Sequence, residues 1–182
     1  MKLVAFALVS VTACGTDPVS YSAPVGINLK VKSGDVVNNA ITDDKGITTE
    51  SGNPYGAFVS DAHAKLGKDP GAIEIDQLTL TLGAQSTGVI ALDEVYSGDV
   101  DVALIMNDTN NTYGGGQVTN PTGLGPVDMS VVFHSDQVTS VDFPKLLSGS
   151  FKVVIRGAAA VGFSTKGAEA NMQATFTFAA FD

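Results

Sequence analysis

The chain has 182 residues, of which 44% are hydrophobic, with one cysteine, two histidines, no tryptophan and a formal net charge of −9 at neutral pH. That balance argues against nucleic acid as a partner, because phosphate binding needs clustered Lys and Arg, and a single cysteine rules out an intramolecular disulfide framework. The length suits one domain whose core is large enough to stand without covalent staples.

At the start, Met1-Lys2 is positive, Leu3 to Val11 form an apolar run broken only by Ser10, and Val11-Thr12-Ala13 sets small or modest side chains before Cys14. This segment resembles a bacterial lipoprotein signal peptide, with Val11-Thr12-Ala13-Cys14 as the lipobox. The resemblance implies cleavage before Cys14, diacylation of its thiol and, commonly, acylation of the new amino group with a palmitate-type chain. It also implies the bacterial cell envelope, and Gly15 in place of an aspartate after Cys14 favours the outer membrane. The apolar run is shorter than the roughly 18 residues of a membrane-spanning helix. The expected membrane partner is therefore reached through lipid, and two or more chains hold stably where one is marginal. Residues 1–13 read as the signal peptide, 14–26 as the lipidated terminus and a polar tether containing Pro18 and Pro24, and 27–182 as the folded domain.

Alternation begins at Ile27, with Ile27, Leu29 and Val31 opposite Asn28, Lys30 and Lys32, the period of a half-buried strand. Val36-Val37 and Ile47 to Thr49 each read as the start of a short strand flanking an Asp43-Asp44-Lys45-Gly46 turn. A helix is expected over 54–66: Asn53 is a good N-cap, Pro54 suits the first helical position, Phe58, Ala62 and Leu66 recur at four-residue spacing, and Gly67 supplies a stop. Beyond Gly71 the chain reads as strands. Ile73 and Ile75 differ in parity from Leu78, Leu80 and Leu82, which predicts a bulge near Asp76-Gln77. Further strands are expected over 88–95, 99–106, 127–134, 137–143, 151–156 and 171–181. In the last of these Met172, Ala174, Phe176, Phe178 and Ala180 alternate with polar residues.

Many short strands with Gly, Asn and Asp turns predict an all-β fold, an antiparallel, immunoglobulin-like β-sandwich with one crossover helix. An eight-stranded outer-membrane barrel is the alternative suggested by the C-terminal strand. The stretch 107–126, with Asn107-Asp108-Thr109-Asn110-Asn111 and Gly114-Gly115-Gly116, reads as a long loop and hence, with an exposed strand edge, as a candidate surface for a protein partner.

Little catalytic chemistry is visible. His134-Ser135-Asp136 unites three triad residue types, but neighbouring strand residues face opposite ways, and His63 reads as a helix-surface residue. Gly162 to Gly167 lacks the Lys and Ser or Thr of a phosphate loop and reads as a hairpin between the last two strands. Asp93, Glu94, Asp99, Asp101, Asp108 and Asn110 are oxygen ligands of the kind Ca²⁺ takes, though turn formation explains them better. Without Trp, a carbohydrate platform would fall to Tyr55, Tyr96 or Tyr113, for which packing is the simpler role. The expected function is a non-catalytic envelope lipoprotein with a structural, assembly or binding role and no cofactor. The alternative is an exported metal-assisted hydrolase using Asp99 and Asp101, two residues on one strand face.

Overall fold

The computed structural model describes residues 19–182. Eight strands form a single antiparallel sheet in the order β1-β8-β3-β6-β5-β4-β7-β2, in which β1 is Ser20–Lys32, β2 Ala40–Gly46, β3 Ala72–Leu82, β4 Tyr96–Met106, β5 Thr112–Thr119, β6 Val127–Val131, β7 Phe151–Ala159 and β8 Glu169–Phe181. The fold is thus all-β, as expected. β6 joins its two halves, pairing Leu78 to Leu80 of β3 through residues 127–129 and Gly116-Gln117 of β5 through Ser130 and Val131. The halves face each other across a core containing Leu29, Leu78, Leu80, Val102, Leu104, Ile155, Phe176 and Phe178.

The apolar alternate residues of β1, β3 and β8 turn inward and are buried, while Asn28, Lys30, Thr79, Thr81, Gln173 and Thr175 face out. This is the reverse of the arrangement in a lipid-embedded barrel, whose outer band is apolar.

Helix α1, Pro54–Leu66, has the expected bounds. The Asn53 side chain accepts from the Tyr55 amide at 3.0 Å, and Gly67, at φ 73°, donates its amide to the His63 carbonyl at 2.8 Å. Gly56 in the first turn has a packing reason, since a Cβ there would lie 2.8 Å from the Thr49 carbonyl oxygen. The expected bulge is also present, as the β3–β8 register shifts between Ile75 and Gln77.

Several expectations need correction. Residues 20–26, expected to belong to a tether, are part of β1, which begins at Ser20, and Tyr21, Ala23 and Val25 continue the inward parity of Ile27. Pro24 is tolerated because β1 is an edge strand of the ladder. Asp43 to Gly46 is not a turn but half of β2, the opposite edge strand, where charge discourages unwanted pairing. Residues 88–95 are not a strand; Val89, Leu92 and Val95 are buried at three-residue spacing, around a 3-10 turn at Leu92–Glu94. Residues 137–143 give way to helix α2, Phe143–Ser148. The stretch 107–126 is not one loop, because β5 occupies Thr112–Thr119. Gly162 to Gly167 is not a hairpin: β7 and β8 lie in different halves, so this segment crosses between them.

Antiparallel pairing sorts the connections to two ends. One, the helix end, holds α1, α2, the β4–β5 turn and the paired strand ends Ser20 of β1 and Phe181 of β8. The other, the loop end, holds the connections around residues 33–39, 83–95, 120–126 and 160–168. These are tied together: the Ser33 hydroxyl donates to the Phe163 carbonyl at 2.6 Å and accepts from the Ala168 amide at 2.9 Å, and the Leu92 and Ala160 amides reach Gly123 and Val95 carbonyls at 2.7 and 2.8 Å.

Candidate functional site

The most concentrated polar constellation is at the helix end, around Asp142, which is fully buried. Its Oδ1 accepts from the Thr109 hydroxyl at 2.7 Å; its Oδ2 accepts from Asn111 Nδ2 at 2.7 Å, the Tyr113 hydroxyl at 2.8 Å and the Thr139 hydroxyl at 3.1 Å. Lys145 Nζ lies 3.5 Å from Oδ1 and also donates to the Asn107 carbonyl. Burial by itself would raise the Asp142 carboxyl, but the donors from Asn111, Thr109, Tyr113 and Thr139 outweigh it and hold the acid well below the usual carboxylate range. The carboxylate is ionised, saturated with donors and closed to solvent. It fastens the β4–β5 turn to the segment preceding α2.

The residues singled out from sequence do not converge. Asp99 accepts from the Thr119 hydroxyl on the outer face of β4, and Asp101 is exposed on the same strand. Asp93 accepts from the Gly123 amide at 3.0 Å, and Glu94 pairs with Lys166 at 2.6 Å. Asp108 and Asn110 adopt left-handed conformations, φ 65° and 55°, in the β4–β5 turn. Among the described residues no three His, Cys, Asp or Glu side chains form a metal-binding group. His63 meets Asp69 at 2.8 Å on the surface, and His134 is exposed, while its neighbour Ser135 donates its hydroxyl to Glu74.

Tyr55 and Tyr96 are core residues and Tyr113 is spent on Asp142, so none of the three offers a stacking platform. β8 is paired on both sides, with β1 and β3, and is not an available edge. Cys14 lies outside the described residues.

What sequence reasoning missed is a groove on the outer face of the β1-β8-β3 half, near the loop end. Its volume is about 510 Å³, and Asn28, Lys30, Thr81, Gln85, Asn171 and Gln173 line it. The residues align because Asn28 faces Gln173 and Gln173 faces Thr81 in the ladder, while Lys30 faces Asn171. Asn28 Oδ1 accepts from Gln173 Nε2 at 3.2 Å, and Asn171 Nδ2 donates to the Gln85 carbonyl at 3.0 Å. Lys30 is neutralised by Glu169 at 2.8 Å.

No family model matches this chain, and no curated protein matches it. Its functional reading therefore rests on its own residues. A second surface concavity, around Thr49 to Ser60 at the start of α1, is lined by exposed Glu50 and Ser51 and by the Asn53 cap, and it gathers no set of titratable side chains. Among the described residues no helix is long and apolar enough to cross a membrane.

Proposed function

We propose that the chain is a lipid-anchored bacterial envelope protein, tethered through Cys14, whose β-domain serves a structural, assembly or binding role rather than a catalytic one. The observation that carries this reading is the Val11-Thr12-Ala13-Cys14 motif, with only five residues, 15–19, between it and the first residue of β1. Five extended residues reach about 18 Å. The domain would therefore stand against its membrane with the helix end, where β1 begins, towards the bilayer and the loop end away from it.

The carboxylates support a non-catalytic role because they are engaged in structure: Asp142 with its four donors, Glu94 with Lys166, Asp93 with a backbone amide and Asp43 with the Lys30 amide. A general acid or base needs a proton partner in reach and an open approach.

Intact-mass analysis of membrane-extracted protein beside a Cys14→Ala variant tests the anchor. The expected result is a species beginning at Cys14 with added acyl mass, and loss of both acylation and membrane fractionation in the variant. A chain that retains Met1 and stays in the aqueous fraction overturns the reading.

A further inference from the structure

We propose that the groove on the β1-β8-β3 face is a binding site for a neutral, polyhydroxylated ligand, a saccharide unit. This deepens the binding-module reading and rests on it for orientation, since the groove lies towards the loop end, which that reading turns away from the membrane.

The argument begins with charge. In a chain of net charge −9, the groove's lining is almost entirely uncharged: three carboxamides from Asn28, Asn171 and Gln173, a fourth from Gln85, and the Thr81 hydroxyl. The single cation, Lys30, is held by Glu169, which also draws Lys32 to 3.7 Å. Lys30 is thus the one charged residue of the lining and is already paired, so the groove offers a ligand mainly uncharged hydrogen-bonding groups.

Hydrogen-bonding capacity decides the chemical class. A carboxamide offers donors and acceptors side by side, the complement of adjacent sugar hydroxyls, each of which both gives and takes. The internal bonds of the groove use Asn28 Oδ1, one hydrogen of Gln173 Nε2 and Asn171 Nδ2, which serves both the Gln85 carbonyl and the Glu169 carboxylate. Asn28 Nδ2, Gln173 Oε1, Asn171 Oδ1 and the Thr81 hydroxyl have no hydrogen-bond partner among the described residues. The exposed Ala84 methyl adds a small apolar contact for a sugar C–H face. A peptide strand is a poorer fit, because β8 and β3 have their backbone groups committed to the ladder and cannot add a strand here.

The glycines shape the site. A Cβ at Gly26 would sit 3.0 Å from Gln173 Nε2, and one at Gly83 would sit 3.0 Å from the Asn171 carbonyl oxygen. The bare Gly26 backbone lets the Gln173 amide lie down across β1 toward Asn28. At about 510 Å³ the groove falls in the size range of small-ligand sites.

The test is an NMR titration of the full chain, held in a detergent without a sugar headgroup, following the side-chain amides of Asn28, Gln85, Asn171 and Gln173. The probes are N,N′-diacetylchitobiose and maltotriose, with an oligogalacturonate as the charged comparison. The expected result is saturable millimolar binding of at least one neutral probe, with shifts confined to these amides and their neighbours. Gln173→Ala should weaken it about tenfold, the loss of roughly one well-placed hydrogen bond. Thr81→Val, a half-exposed change of similar size, should weaken it without disturbing the rest of the spectrum. No shift with either neutral probe, shifts located elsewhere, tighter binding of the charged probe, or undiminished binding in both variants overturns the proposal. A Cys14→Ala chain should show the same shifts, so failure of the anchor and failure of the groove read out separately.

Discussion

The Lys30 amide donates a 2.7 Å hydrogen bond to the Asp43 carboxylate, and this side-chain contact bridges β1 and β2, the two edges of the eight-stranded ladder. A strand edge left open is a template for unwanted pairing; here a carboxylate does the work of a backbone carbonyl. Farther towards the helix end α1 packs against β1, with Tyr21 stacked on Phe58 at 6.0 Å and Ala62 buried.

The first prediction follows from that seam. Asp43→Ala should lower stability by about 1–2 kcal/mol, the usual net worth of a partly exposed hydrogen bond to a charged group. Asp43→Asn, which keeps an acceptor, should lose less. Urea unfolding midpoints give the order, and hydrogen exchange should show the Lys30 amide opening faster in the alanine variant while the β3–β8 ladder is unaffected.

Two buried tyrosines should respond to loss of their hydroxyls in opposite ways. The Tyr55 hydroxyl donates to the Leu146 carbonyl at 2.9 Å, joining α1 to α2, and its ring packs edge-on against Phe151 and Phe178. The Tyr96 hydroxyl is buried with no partner. Burial pushes both phenols far above their ordinary range, reinforced at Tyr96 by the charge of Asp43. Tyr55→Phe should cost about 1–2 kcal/mol, whereas Tyr96→Phe should be neutral or stabilising by up to about 1 kcal/mol, since it removes an unsatisfied group. Thermal unfolding of the two variants side by side checks the sign; destabilisation by Tyr96→Phe would show that the hydroxyl is satisfied in solution.

Elements specified by neighbouring residues were legible in the sequence, and elements specified by distant ones were not. Asn53, Pro54 and Gly67 mark the ends of α1 locally, and the alternation through β8 needs no tertiary knowledge. β5 was hidden because Gly115 and Gly116 carry no hydrophobic signal, although both are buried. Pro24 concealed the first half of β1, and charge concealed β2. The Asp142 cluster joins residues 29 to 33 positions apart. The groove joins strands that are neighbours in the sheet but first, third and eighth in the chain. No local pattern announces either.

The glycine run of β5 should be sensitive at one position and tolerant at another. A Cβ at Gly116 would lie 2.9 Å from Leu78 Cδ2 and 3.1 Å from the Ser130 carbonyl oxygen, between the two halves of the sheet. At Gly114 the close neighbour is Val132 Cγ2 at 2.8 Å, the end of an exposed side chain that can turn away. Gly116→Ala should therefore cost about 1–3 kcal/mol through overpacking, and Gly114→Ala much less. Unfolding midpoints separate them. Equal losses would mean that β5 needs glycine for backbone freedom rather than for close approach.

Asp142 makes the acid limb of stability a readout of the helix end. Its carboxyl is held below the ordinary value of about 4 by the Asn111, Thr109, Tyr113 and Thr139 donors despite burial, and Glu169 is held down by its hydrogen bond and ion pairing with Lys30. A depressed native pKa means that the unfolded chain binds the proton first. The stabilisation is complete above the unfolded value and is lost as pH falls through the native one. Stability should thus be flat near neutrality and decline below about pH 4. Asp142→Asn removes one of these groups and should flatten part of the decline while lowering stability at neutral pH, because an amide cannot accept from four donors as a carboxylate does. Asp142→Ala, which strands those donors in the interior, should be the more damaging of the two. The test is urea unfolding of the wild type and Asp142→Asn across acidic pH. An unchanged slope in the variant would mean that the carboxylate is not charged in the folded protein, and the assignment of the cluster as an anionic clamp would fall.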